Sequence, residues 1–204
     1  MRPNLRWCQV DEWWPEAREG VSVWAMFGRG REGRLTWRLF AGSLYRFDLG
    51  KTREVVRTGL TIPNSIGWSP DSKTMYFTHS TTQQVLAWDY DAEGGGGITN
   101  ERVFYQHEGT GDPDGFRVDR DGNIWHAVYG EGRVLKISPE GKLVGQVTLP
   151  TKNITCVEFV GTELFITTAE DNAGEGDSKR YGGAVFRVDV GTTGLEHPLF
   201  KLGV

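Results

Sequence analysis

Two residues combine oxygen-donor chemistry with matched surroundings. Asn64 and Asp114 each stand two residues before the first apolar residue of a strand-turn-strand unit, in Pro63-Asn64-Ser65-Ile66 and Pro113-Asp114-Gly115-Phe116. An amide carbonyl and a carboxylate are hard donors of the kind Ca²⁺ and Mg²⁺ prefer, and both ions accept waters in unfilled positions. Asn and Asp before Ser or Gly are also ordinary turn formers, because their side chains bond the nearby backbone. Residue type alone leaves both readings open.

Other chemistry-bearing residues carry less. His79, His107, His126 and His197 show no ligand spacing, and no Gly-x-Ser-x-Gly elbow marks a serine nucleophile. Cys8 and Cys156 are far apart, which is neither a disulfide framework nor a metal cluster, and Cys156 in its apolar stretch reads as core. Gly28-Arg29-Gly30-Arg31-Glu32-Gly33 has the glycines of a dinucleotide loop but no strand before it and no amphipathic helix after it. Asn153-Ile154-Thr155 is a glycosylation sequon only in a secreted chain.

The elements that would position Asn64 and Asp114 repeat. Leu44-Tyr45-Arg46-Phe47-Asp48, Val85-Leu86-Ala87-Trp88-Asp89, Val134-Leu135-Lys136-Ile137-Ser138 and Val185-Phe186-Arg187-Val188-Asp189 begin 41, 49 and 51 residues apart. In each, the first, second and fourth positions are apolar and a turn follows, as a half-buried strand in a hairpin requires. Between them lie Ile66 to Phe77 and Phe116 to Trp125, whose Asp71-Ser72-Lys73 and Asp121-Gly122-Asn123 centres are turn chemistry between strands, and a degenerate copy from Val157 to Ile166. A period of this length is that of a four-stranded propeller blade. The expected fold is all-β, a β-propeller of which about four blades are present, and ring symmetry would aim Asn64 and Asp114 at the axis.

Composition agrees. The 204 residues are 38% hydrophobic and include 28 glycines, which suits many short strands and tight turns. Residues 1–60 hold 11 Lys/Arg against 7 Asp/Glu, but the signs are interspersed, which argues against a nucleic-acid surface. No apolar run approaches a membrane span and no signal core follows Met1, so a soluble, cytoplasmic protein is expected, with no nucleic-acid or membrane partner. Residues 1–41 read as an atypical segment: residues 1–40 contain five of the eight tryptophans and no hairpin repeat, and irregular packing is expected there.

Thr61-Ile62-Pro63-Asn64-Ser65-Ile66-Gly67-Trp68-Ser69-Pro70-Asp71 and Asp112-Pro113-Asp114-Gly115-Phe116 resemble the two most recognisable motifs of the gluconolactonase and regucalcin (senescence marker protein) family, and the likeness runs from about Gly42 to the C-terminus, over residues 42–204. The resemblance implies a six-bladed propeller with one divalent cation at the mouth of its channel. It makes Asn64 and Asp114 metal ligands and Asp114 a catalytic residue as well. Ca²⁺ is the ion it implies first, with Zn²⁺, Mg²⁺ and Mn²⁺ as alternatives. A glutamate ligand from the family's first blade has no counterpart here. Arg2-Pro3-Asn4 stands as the stub of a substrate-contacting Arg-x-Asn-Asp-Gly motif, with Leu5-Arg6 in place of Asp-Gly, so Arg2 and Asn4 are weak substrate-binding candidates. The function implied is hydrolysis of sugar or related lactones, expected to be impaired with one ligand missing. A non-catalytic partial propeller, or binding module, is the alternative.

Overall fold

Fourteen strands follow one another in the residues that the computed structural model describes, which are 21–26, 42–48, 54–93 and 96–196. The chain divides into two compact units, Met1–Asn64 with His197–Val204, and Ser65–Glu196. In the first unit, β1 (Val21–Met26), β2 (Gly42–Asp48) and β3 (Glu54–Leu60) form an antiparallel sheet in that order. β1 lies inside the segment for which no strand was expected. It pairs with β2 from Val21↔Asp48 to Met26↔Ser43. The rest of residues 1–40 lies outside the described residues, and with it the expectation of irregular packing.

The second unit is built from three sheets. β4 (Pro63–Trp68), which begins at the boundary between the units, β5 (Thr74–His79), β6 (Gln84–Asp91) and β7 (Gly97–Gln106) make the first, with a short 3₁₀ turn at Ser80–Thr82. β8 (Asp112–Val118), β9 (Ile124–Tyr129), β10 (Arg133–Ile137) and β11 (Leu143–Thr148) make the next. β12 (Ile154–Val160), β13 (Glu163–Thr168) and β14 (Val185–Asp189) make the last, with helix α1 (Gly176–Tyr181) in the connection before β14. Strand order follows chain order in every sheet, and neighbours are antiparallel, which is the meander of a propeller blade.

Successive sheets pack face to face through two apolar layers. Tyr76, Val85 and Ala87 of one sheet meet Phe116, Ile124, Val128 and Leu135 of the next, while Trp125, Ala127 and Val134 meet Ile154, Val157, Leu164 and Ile166 of the last. A middle strand is therefore covered on both sides. β9 is buried along Ile124–Val128, whereas the outer strands β7 and β11 leave Val103, Leu143 and Val144 about half exposed.

The hairpin turns work as their residues suggest. In the β4–β5 turn Ser69 Oγ donates to Asp71 Oδ1, and Ser72 takes the left-handed conformation, φ 57°. Gly122 takes the same place in the β8–β9 turn, φ 84°, where a glycine has no steric cost. There the fully buried Asp119 carboxylate accepts from the backbone N–H groups of Asp121 and Asn123, from Asn123 Nδ2 and from Trp125 Nε1.

Candidate functional site

Asp114 is the third residue of β8 and sits on a β-bulge. Pro113 pairs with Val128 and Phe116 with His126, so three steps on β8 oppose two on β9. The extra residue takes Asp114 and Gly115 out of the regular ladder. A bulge of this kind bends the strand and re-aims a side chain, and here the side chain is a half-buried carboxylate.

Backbone groups freed by a bulge must find other partners. Three are met by side chains. Ser80 Oγ donates to the Pro113 carbonyl at 2.6 Å, His126 Nε2 lies 3.2 Å from the Asp114 carbonyl, and the Phe116 N–H donates to Ser65 Oγ at 3.0 Å. Gly115 is required by a close approach: a Cβ there would stand 2.5 Å from Cys156 Sγ and 2.7 Å from the Thr155 carbonyl oxygen. Burial raises the Cys156 thiol pKa above its ordinary value, which fits the packing role expected of it rather than a nucleophile.

The segment leading into β8 is clasped from below by a polar cluster. Glu131 Oε1 accepts from the Gly111 N–H at 2.7 Å and faces His107 Nε2 at 3.2 Å, while Oε2 pairs with Arg133. Gln83 Nε2 donates to the carbonyls of Gly109 and Gly111. Burial pushes the Glu131 carboxyl up, but the Gly111 N–H, Arg133 and His107 outweigh it and hold the pKa down at about 2.

Because the unfolded carboxyl titrates near 4.5, the stability this group contributes is complete above that pH and is lost as pH falls towards about 2. Urea melts of the wild type and Glu131→Gln should therefore differ most at neutral pH, draw together below about pH 4.5 and converge only at about pH 2. A difference that stays constant over that window would show an ordinary carboxyl.

Asn64 is the second residue of β4 and the last of the first unit; like Asp114 it is half-buried and follows a buried proline. β4 and β8 share their burial sequence over the first five residues from that proline, Pro63 to Gly67 and Pro113 to Arg117. Each residue is placed by its own strand. Arg2 and Asn4 lie outside the described residues. Among the described residues no three of His, Cys, Asp and Glu converge. An amide oxygen and a carboxylate fit an oxygen-seeking cation completed by water better than a site of His and Cys ligands.

Sequence reasoning passed over Ser65, Ser80, His126 and the Glu131 cluster. The only signal for His126 is a polar residue inside the apolar strand Ile124-Trp125-His126-Ala127-Val128.

The model of one protein family, described as the SMP-30/gluconolactonase/LRE-like region, matches residues 21–170, beginning with β1. The chain is 38% identical over 172 residues to the pentonolactonase XacC of Haloferax volcanii, covering 80% of this chain and 58% of that protein. It is 37% identical over 147 residues to the L-arabinolactonase of Azospirillum brasilense, covering 71% of this chain and 48% of that one. A crystal structure from Agrobacterium tumefaciens, described as a calcium-binding protein, regucalcin, superposes with a TM-score of 0.78 at 27% identity, over 90% of this chain and 62% of that chain. The chain thus spans about half the length of the curated relatives it matches.

Proposed function

Because the chain belongs to the SMP-30/gluconolactonase/LRE-like family, we propose that it hydrolyses sugar or related lactones with the help of a divalent cation, Ca²⁺ first among the candidates. The observation that carries this reading is the bulge in β8 at Asp114, with its neighbouring backbone groups satisfied by side chains. Likeness to sugar lactonases supports the substrate class. Asn64 and Asp114 each supply an oxygen donor.

A cation held there would polarise the lactone carbonyl and make a bound water more acidic. Asp114 would supply the anionic ligand, and its second oxygen would take the proton of the attacking water. Water adds to the lactone carbonyl carbon, the ring C–O bond breaks, and the proton returns to the departing alkoxide to give a hydroxy acid. Asn64 orients without changing charge. Among the described residues the proposed ligands are these two, and two protein ligands hold a cation weakly, so slow turnover is expected.

The test is release of acid from five- and six-membered sugar lactones by the 204-residue chain, in Ca²⁺ and after chelation. Ca²⁺-dependent release supports the proposal. A chain that binds Ca²⁺ by calorimetry and leaves every lactone intact is a binding module instead.

A further inference from the structure

The bulge in β8 has a counterpart in β12, where Ile154 pairs with Thr168 and Val157 with Ile166, again three steps against two. Pro113↔Val128 and Phe116↔His126 occupy the same places. Thr155 therefore corresponds to Asp114, and Ile166 to His126. An isoleucine is what a strand covered on both faces calls for, and Ile166 is 1% exposed. His126 is 0% exposed, and its Nδ1 finds no hydrogen-bond partner among the described residues. A polar ring at this position costs desolvation, so its bonding atom has to be worth keeping.

That atom is Nε2, 3.2 Å from the Asp114 carbonyl oxygen and 3.0 Å from Thr78 Oγ1. A carbonyl oxygen only accepts, so its partner Nε2 carries the proton, as inferred from the bonding, and Nδ1 is bare. The ring is held edge-on by Phe116, with centroids 5.5 Å apart and planes at 76°. Phe116 is itself fixed against Gly67, where a Cβ would stand 2.6 Å from the ring.

We infer that His126 is a positioning residue for Asp114: its Nε2–H holds the carbonyl at the bulge, and so fixes the direction in which the Asp114 carboxylate leaves the strand. The geometry stands by itself, and the consequence for a bound cation rests on the function proposed above. Groups that orient a metal ligand through a hydrogen bond typically change metal affinity about 10- to 100-fold when removed. Gln extends its amide about as far as Nε2 and keeps a donor, whereas Leu fills the space without one and Asn falls short.

The test uses the full chain and two readouts. Calorimetry with Ca²⁺ should show binding weakened at least about 10-fold in His126→Leu and changed less than about threefold in His126→Gln. Amide exchange at residues 114–116 should accelerate about fivefold or more in His126→Leu and stay near wild type in His126→Gln. Should His126→Leu not fold, His126→Asn takes its place in both comparisons. If the wild type binds no Ca²⁺, the cation reading fails for this chain and exchange alone decides the positioning role. Unchanged exchange at 114–116 in His126→Leu, or equal effects of Leu and Gln, would overturn the inference.

Discussion

Replacing Asp114 with Ala is expected to lower kcat/KM for lactone hydrolysis about 1,000-fold, which corresponds to about 4 kcal/mol of lost charge stabilisation. The carboxylate has two duties in the proposed reaction, as the anionic cation ligand and as proton acceptor. Asp114→Asn separates them, since the amide keeps an oxygen but neither the charge nor the basicity. Ca²⁺ affinity should fall in both variants, and activity at saturating Ca²⁺ should stay low in Asp114→Asn if proton transfer matters. Melting temperature should move little, because the side chain is only half-buried and the bulge is held by its backbone partners. Unaltered Ca²⁺ affinity together with unaltered turnover would remove Asp114 from the site.

The largest expected effect on stability belongs to Asp119. Its carboxylate is 0% exposed, accepts from three residues, and has Lys136 Nζ at 4.0 Å, an ammonium that also lies 5.0 Å from the centre of the Trp125 ring. Asp119→Ala leaves the buried Trp125 N–H and the half-buried Asn123 donors without an acceptor and strips Lys136 of its counter-charge. Breaking a buried charged group of this kind costs about 3–5 kcal/mol. For a chain of this size that is a fall of roughly 10 °C in Tm, measurable by calorimetry or urea unfolding. A cost below about 1 kcal/mol would show that the turn holds without its carboxylate.

The blades were legible because their signal is local. Asp71-Ser72-Lys73 and Asp121-Gly122-Asn123 sit between strands only a few residues away, and turn chemistry and alternation agree within one hairpin. β1 was missed for the opposite reason. Val21-Ser22-Val23-Trp24-Ala25-Met26 has one polar residue and no alternation beyond it, is short, stands among arginines and tryptophans, and pairs across a long connection, Val21 with Asp48.

The site divides in the same way. Asp114 and Asn64 were visible as equivalent strand starts. The groups that hold the bulge were not, because Ser80 reaches β8 from the 3₁₀ turn and His126 from β9, across 33 and 12 residues of chain. The bulge itself leaves no mark in residue types, since it is one residue too many against a partner known only from pairing.

The matched bulges of β8 and β12 also carry a history. Two blades with different residues at the position, Asp114 and Thr155, share the same extra residue at the same register. Such a coincidence is what tandem duplication of a repeat leaves behind, an irregularity copied with its strand. A carboxylate at this position needs no backbone beyond the bulge that the two blades share. By the same logic a designer wanting a second carboxylate at an equivalent bulge could begin with Thr155→Asp, where the strand already carries the extra residue.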